Sequence, residues 1–272
     1  MLEPVLVGHR SFRETVLNAL AARGHLVYCR NADANFFVDP SDRVIANALM
    51  WRGSWQRDDL EFAVDVLVEA GRLPADAVFV DAGANIGTQT VYAMKTGRFA
   101  RALAIEPEPR NARLLAMNLK ANDLAGAVML IEAAVGDRAG SAVLYLHPRN
   151  AGHHTVGAPP SIDGIERVDV SILRLDAILQ QEAIAAERVG LVWIDVEGLE
   201  PAAVAGLGAF IGKVPLVIEF APDRYCDADR CAICALIERN YQRLYRLPQR
   251  DRTPESTAAI AGIATMTDIL VF

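Results

Sequence analysis

The sequence predicts an α/β fold in which helices cover both faces of a doubly wound, mostly parallel sheet. From residue 77 onward, short apolar runs alternate with helical stretches, which is typical of parallel strands joined by crossover helices. Several of these runs end in glycine or a carboxylate, at the edge where open α/β sheets bind ligands. A length of 272 residues with 52% hydrophobic content allows one substantial core.

The main domain, residues 76–272, contains six predicted parallel-type strands. A helix with Ala112, Leu115 and Leu119 on one face separates the second strand from the third. After the third strand, a β insertion at about residues 138–170 adds two further strands, and we expect it to determine substrate specificity. The six strands are predicted at residues 77–80, 102–105, 128–131, 191–194, 216–218 and 269–272.

Residues 1–75 are predicted to form a helical and extended lead-in or cap. Ser11 and Glu14 have the spacing of a capping box, which predicts a first helix. Apolar residues at helical intervals predict a second helix that ends at Gly71. This lead-in could serve as a lid or as a contact in a homodimer. Its predicted elements are a helix at 11–22, an extended segment at 35–38 and the helix before Gly71.

Composition and charge argue against several classes of protein. A net charge of -7 disfavours a nucleic-acid partner, because phosphate binding needs clustered Lys and Arg. The sequence has neither a long apolar run nor a signal-peptide pattern, so we expect no membrane association and a cytoplasmic location.

Cys231 and Cys234 lack further zinc ligands and are interpreted as thiols on a helix. The basic run from Arg243 to Arg252 is interpreted as a solvated face.

A glycine turn after the first strand is the strongest functional signal. Gly83 and Gly87 let the backbone approach a ligand closely, and the helix that follows offers N–H groups to a carboxylate such as that of methionine. A dinucleotide fingerprint would need glycines where Asn85 and Thr88 stand, so a nicotinamide-dependent oxidoreductase is the second interpretation. The predicted cofactor residues of this segment are Asp81, Gly83, Ala84, Asn85, Gly87 and Thr88.

Glu106 and Pro107 end the second strand, where a carboxylate can accept hydrogen bonds from ribose hydroxyls. This position indicates a cofactor that contains a nucleoside. At the third strand, the backbone of Ala133 or Ala134 could lie near the adenine.

Asp195 and Glu197 follow the fourth strand, at the edge of the sheet where ligands bind. They could take a proton from a hydroxyl, bind a metal, hold a cationic group, or cap the next helix. Glu219, at the end of the fifth strand, is expected to line the same pocket. The two carboxylates provide only part of a Mg²⁺ ligand set, so no metal is expected. His154, in the insertion, is a further candidate base.

Six segments in order resemble the FkbM family of methyltransferases. They contain the glycine turn, Glu106, Asp137, Asp176, Asp195 with Glu197, and Glu219. The resemblance implies a class I, Rossmann-like methyltransferase fold, S-adenosylmethionine as cofactor, and O-methylation of a hydroxyl on a sugar or natural product. It assigns the glycine turn and Glu106 to the cofactor and places Asp195 at the methyl-transfer site. The family often has a Glu before the first strand, where this chain has Gln56.

The expected mechanism is in-line methyl transfer in a pocket that excludes water. Asp195, together with Glu197 or His154, is predicted to orient and deprotonate the acceptor hydroxyl. A third interpretation is a protein that binds S-adenosylmethionine without catalysis. The paired carboxylates favour chemistry over that interpretation.

Overall fold

The computed structural model describes residues 10–146, 155–156, 165–247 and 252–272, and it contains one large central sheet. The helices are α1 Arg10–Ala21, α2 Ile45–Trp51, α3 Arg57–Glu69, α4 Thr88–Lys95, α5 Pro109–Ala121, α6 Leu175–Gln181, α7 Glu200–Ala205 and α8 Asp227–Asn240. The strands are β1 Val27–Arg30, β2 Asn35–Val38, β3 Val78–Ala82, β4 Arg101–Ile105, β5 Val128–Ile131, β6 Ala134–Val135, β7 Gly140–Leu146, β8 Thr155–Val156, β9 Glu166–Leu173, β10 Val189–Ile194, β11 Leu216–Phe220, β12 Arg243–Leu247, β13 Glu255–Ser256 and β14 Thr267–Val271.

The central sheet has eight strands in the order β13-β12-β14-β11-β10-β3-β4-β5. Strands β5, β4, β3, β10 and β11 are parallel to their neighbours in this set, whereas β14 is antiparallel to both β11 and β12. The strand order reverses between β3 and β10, which is the topological switch point where doubly wound sheets bind ligands. The predicted doubly wound fold is therefore confirmed and all six predicted strands are present. The sixth, β14, was predicted to be parallel, but it is antiparallel because it lies between β11 and β12 and runs opposite to both.

Alternate residues of each central strand point into two different apolar layers. In β3, Val78 and Val80 join a core with α6, α7 and α8. Phe79, between them, joins a core with α4, α5 and the lead-in helices α2 and α3. Because both faces of the sheet are covered, its strands are apolar on both sides, which explains why they appear in the sequence as unbroken apolar runs.

The insertion forms a separate four-stranded sheet in the order β6-β9-β7-β8. Strands β7 and β9 pair in antiparallel fashion over seven residues, and both were predicted from the sequence. Ala134 lies in β6, which pairs with β9. His153 and His154 lie outside the described residues, so the role predicted for His154 stays a prediction.

Several elements of the described chain were not predicted, among them the short strands β6, β8 and β13. Strand β1 and helix α2 belong to the lead-in, and β12 contains two arginines of the basic run that was interpreted as a solvated face. In strand β12, Leu244, Tyr245 and Leu247 are buried, whereas Arg243 is exposed and Arg246 is partly exposed. No described helix is long and apolar enough to span a membrane.

Two buried asparagines, one on α5 and one at its C-terminal cap, attach the lead-in to the main domain. Asn118 accepts a hydrogen bond from Phe37 N (2.6 Å) and donates to Phe37 O (3.2 Å) and to Ile86 O (2.8 Å). One helical turn later, Asn122 makes the same pair of bonds to the backbone of Asn35. The two amides therefore continue the hydrogen bonding of β2, and Asn118 also connects it to the glycine turn.

We predict that Asn118→Ala lowers the free energy of unfolding by roughly 2–4 kcal/mol, because it leaves buried backbone groups of Phe37 and Ile86 without partners. Urea denaturation measures this loss. The control is Asn240→Ala, an exposed residue that bonds only within its own helix, which should change stability by about 0.5 kcal/mol or less. A loss for Asn118→Ala as small as that of the control would contradict this role.

Candidate active site

The turn after β3 has an unusual backbone that brings two strand ends together. Gly83, Asn85 and Gly87 have φ values of 87°, 49° and 88°, in the left-handed region that favours glycine. A Cβ on Gly83 would lie 1.8 Å from the backbone oxygen of Asp195, and one on Gly87 would lie 2.2 Å from Leu115 Cδ1. The first glycine is therefore needed because the turn packs directly against the end of β10.

Helix α4 begins immediately after this turn. Its cap residue Gly87 has no side chain that could accept from the first N–H groups of the helix. Thr88 and Gln89, the first two residues of α4, line the cleft above the turn. A helix N-terminus in this setting suits a carboxylate, as predicted.

Asp81 lies beneath the turn. Its carboxylate accepts a hydrogen bond from Thr90 Oγ1 in α4, and the residue is 1% exposed. Burial raises its pKa to about 7, while the hydrogen bonds from Thr90 lower it. In this structure Asp81 holds the turn and α4 together, and it does not line the cleft.

Glu106 is in direct contact with the glycine turn. Its Oε2 accepts from Asn85 N (2.8 Å) and its Oε1 from Glu108 N (2.9 Å). Asn111 Nδ2 lies 3.4 Å from Oε1. Since an ionised carboxylate has about four acceptor positions, Oε2 retains one for a ligand hydroxyl. Burial raises the pKa of Glu106 to about 7, so a donating ligand would stabilise its ionised form.

A cleft of about 760 Å³, including space open to solvent, lies at the carboxyl ends of the central strands. Lead-in residues form one wall, and the ends of β10, β11 and the segment before β14 form the other. The lining residues are Val44, Ile45, Trp55, Gln56, Gly83, Ala84, Asn85, Thr88, Gln89, Trp193, Asp195, Glu197, Glu219, Arg224 and Met266.

Carboxylates from three neighbouring strands collect at one end of the cleft. Asp195 follows β10 and Glu219 lies in β11. Asp268 lies in β14, where it is the cross-strand partner of Glu219. Glu197 adds a fourth carboxylate from a turn in which its own φ is 54°. Glu200 accepts from the backbone N–H groups of Val196 and Gly198, so it holds this turn together, whereas the N-cap residue of α7, Leu199, makes no side-chain cap.

Arg224 partly neutralises this cluster. Its Nη1 lies 2.5 Å from Glu197 Oε2 and 3.0 Å from Glu219 Oε2. Burial raises the pKa of Glu197 to about 8 despite this ion pair, and burial also raises the pKa of Glu219. Asp195 has its pKa raised well above the usual value, first by burial and then by the charge of Glu219. Within the described residues, no donor makes a hydrogen bond to the Asp195 side chain.

The same three carboxylates could hold a metal ion. One oxygen each from Asp195, Glu197 and Glu219 lies within 4.8 Å of the others. Arg224 already bonds two of them, however, so a cation at this place would compete with the guanidinium.

A line of side chains connects this cluster to the glycine turn. Gln56, at φ 49° before α3, donates from Nε2 to Asp268 Oδ2 (3.0 Å). Its Oε1 accepts from Gln89 Nε2 (3.0 Å). The position where the resemblance pointed to a frequent Glu is thus occupied by a Gln that contacts both ends of the cleft.

The structure brings most of the predicted site residues together, with Gly83, Ala84, Asn85, Thr88 and Asp195 all lining the cleft. Glu197 and Glu219 join them there, as predicted. The remaining cofactor candidates do not line the cleft: Asp81, Gly87, Glu106, Pro107 and Ala134.

Two features of the site were not predicted from the sequence. One is the wall of the cleft that the lead-in forms, and the other is Arg224, which pairs with the acidic cluster. Trp55 lies in a segment without periodicity, so no pattern marked it. Arg224 stands four residues after the end of β11, close enough to have been identified as a partner of Glu219.

The strand order and the cleft at the switch point define a class I, Rossmann-like methyltransferase fold. The family described as Methyltransferase FkbM domain matches residues 81–245. The chain belongs to this family. The match lies within the main domain and leaves the lead-in outside it.

Two relatives resemble part of the chain. Methyltransferase sdnD of Sordaria araneosa is 28% identical over 172 residues, which cover 54% of this chain and 66% of that protein. Methyltransferase 1 of Beauveria bassiana (strain ARSEF 2860) is 28% identical over 163 residues, which cover 54% of this chain and 65% of that protein. The matched part of this chain therefore spans just under two thirds of the length of either relative.

Solved structures show weaker similarity. Precorrin-6y C5,15-methyltransferase from Geobacter metallireducens GS-15 aligns with a TM-score of 0.40 at 15% identity, over 78% of this chain and 86% of that one. M. jannaschii TYW2 in complex with AdoMet aligns with a TM-score of 0.39 at 13% identity, over 90% of this chain and 84% of that one. The fold assignment rests on the strand order and the family match.

We predict that the free energy of unfolding falls as the pH rises from about 5 to about 8. Burial raises the pKa values of Asp81, Glu106 and Asp268 to about 7 and that of Glu197 to about 8. In unfolded chains carboxyl groups titrate near pH 4, so over this interval the folded protein retains protons that the unfolded chain has lost. Stability must therefore decrease with rising pH.

Urea denaturation at several pH values between 5 and 8.5 measures this slope. Asp268→Asn should make it shallower, because the amide removes one buried titrating group and can still accept from Gln56. The exposed Asp223→Asn is the control and should keep the slope of the wild type. Stability that stays level or increases over this range would show that these carboxyl groups are not buried in protonated form.

Proposed function

We propose that the protein transfers a methyl group from S-adenosylmethionine to a hydroxyl group of a small molecule, a sugar or a natural product. The observation that carries this proposal is the contact between the glycine turn and the end of β10. It places a candidate cofactor site and an available carboxylate, Asp195, in one cleft. The membership of the FkbM family supports the same reaction class.

The residues present fit the cofactor. The N-terminus of α4 suits the methionine carboxylate, and the remaining acceptor position of Glu106 Oε2 suits a ribose hydroxyl. These two groups lie at the ends of the neighbouring strands β3 and β4, and β10, which Asp195 follows, lies on the other side of β3. The cofactor would supply an electrophilic methyl group on its sulfonium sulfur.

Asp195 is the carboxylate best placed to accept a proton. Arg224 engages Glu197 and Glu219, whereas the Asp195 carboxylate has no hydrogen-bond donor within the described part of the chain. When bound, the cofactor would give its methyl group to the acceptor oxygen and would leave as a neutral thioether that keeps the electron pair of the broken bond. The hydroxyl proton passes to Asp195. The raised pKa of this carboxyl makes it a stronger base than an exposed aspartate.

The walls of the cleft also support a small acceptor. Trp55, Trp193 and Met266 offer apolar contacts, and the carboxylates offer hydrogen-bond acceptors for hydroxyl groups. A nucleic acid is a poor candidate, because the cleft is acidic and the net charge is -7.

We predict that Asp195→Asn lowers kcat by roughly 10²–10⁴-fold, the usual contribution of general acid–base catalysis. The assay transfers a labelled methyl group from S-adenosylmethionine to the best acceptor in a panel of sugars, polyketides and phenols. The cofactor Kd, measured by calorimetry, should change little, since Asp195 is proposed to act on the acceptor. The exposed Asp223→Asn is the matched control. A kcat that Asp195→Asn leaves nearly unchanged would limit this residue to organising the cleft.

A further inference from the structure

One buried oxygen in the cleft has no partner. Gln89 lines the cleft and is 6% exposed, yet its Oε1 makes no hydrogen bond within the described structure. Its Nε2 donates to Gln56 Oε1. A buried carbonyl oxygen without a donor costs about 1–3 kcal/mol, so such atoms in native proteins commonly mark a ligand or a functional site.

The orientation of the Gln89 amide follows from its neighbours. Above its pKa of about 7, Asp268 is ionised and its carboxylate can only accept, so Gln56 must present its Nε2 to Asp268 and its Oε1 to Gln89. Gln89 must then present its Nε2 to Gln56. Turning the Gln89 amide around would bring two carbonyl oxygens to about 3.0 Å from each other. Oε1 is thus the atom that remains available.

The position of Gln89 indicates which ligand group would supply the donor. It is the second residue of α4, directly after the glycine turn that suits the methionine carboxylate. The acceptor-binding carboxylates Asp195 and Glu219 lie one and two strands further along the sheet, on the opposite side of β3 from Glu106. In methionine the α-ammonium and the carboxylate share one carbon atom, so a site for one lies next to a site for the other.

We propose that Gln89 Oε1 accepts a hydrogen bond from the α-ammonium group of the cofactor's methionine moiety. Gln56 and Asp268 are positioning residues that fix the amide in the orientation this bond requires. The inference rests on the proposed function, because it takes S-adenosylmethionine as the cofactor. It adds a side-chain partner for the ammonium group of the cofactor.

The test compares the binding of S-adenosylhomocysteine with that of its deamino analogue, which keeps the carboxylate but lacks the α-amino group. Calorimetry on the wild type should show weaker binding of the deamino analogue. Gln89→Leu should raise the Kd of S-adenosylhomocysteine roughly 10–100-fold, as expected for a hydrogen bond to a charged group. The same variant should change the Kd of the deamino analogue by no more than about 2-fold. Gln180→Leu, an exposed glutamine on α6, should alter neither.

Asp268→Asn tests the positioning role. An asparagine can donate or accept, so it no longer forces the orientation of Gln56 and Gln89. We expect a smaller loss of S-adenosylhomocysteine affinity than for Gln89→Leu, with no loss for the deamino analogue. If the role of Asp268 is purely structural, Asp268→Asn should weaken the binding of both ligands equally.

The outcomes separate this inference from the proposed function. Failure of the wild type to bind S-adenosylhomocysteine would overturn the proposed function itself. Binding of both ligands with equal affinity by the wild type would overturn only the role of Gln89, and this comparison needs no variant. An equal loss of affinity for both ligands in Gln89→Leu would also overturn this role. Gln89→Met, which is closer in shape, provides the same comparison if Gln89→Leu does not fold.

Discussion

The site depends on the close approach of the glycine turn to the end of β10. Only a residue without a side chain fits at Gly83, because a Cβ would lie 1.8 Å from the backbone oxygen of Asp195. This contact holds the predicted cofactor region next to the acidic cluster, and the left-handed backbone at Gly83 and Gly87 gives α4 its direction. Glu106 stabilises the turn from the other side through Asn85 N. Donor and acceptor sites therefore share one rigid frame.

Burying several carboxyl groups at one end of a cleft costs free energy that the fold does not recover from Arg224 alone. Ion pairs to Glu197 and Glu219 offset part of the cost, but burial still raises the pKa values of both. No described residue donates a hydrogen bond to the Asp195 side chain, so the cost of burying its charge is compensated least. Groups held in such an unfavourable state are typical of catalytic sites, where a ligand or a reaction uses them.

Most of the main domain could be predicted from the sequence, because strands buried on both faces leave apolar runs and their ends carry the polar site residues. The six predicted strands are all present in the structure. The lead-in wall could not be predicted, since Trp55 and Gln56 are placed by long-range contacts such as that of Gln56 with Asp268. Strand β12 was missed because arginines occupy its exposed positions.

The most direct test is a calorimetric titration of the protein with S-adenosylmethionine and, separately, with NAD, repeated on Glu106→Ala. Glu187→Ala, an exposed glutamate, serves as the control. We predict that the wild type and the control bind S-adenosylmethionine with micromolar affinity and that Glu106→Ala loses this binding. We predict no binding of NAD. Absence of S-adenosylmethionine binding, or a preference for NAD, would contradict the assignment of the glycine turn and Glu106 to this cofactor and would favour an oxidoreductase.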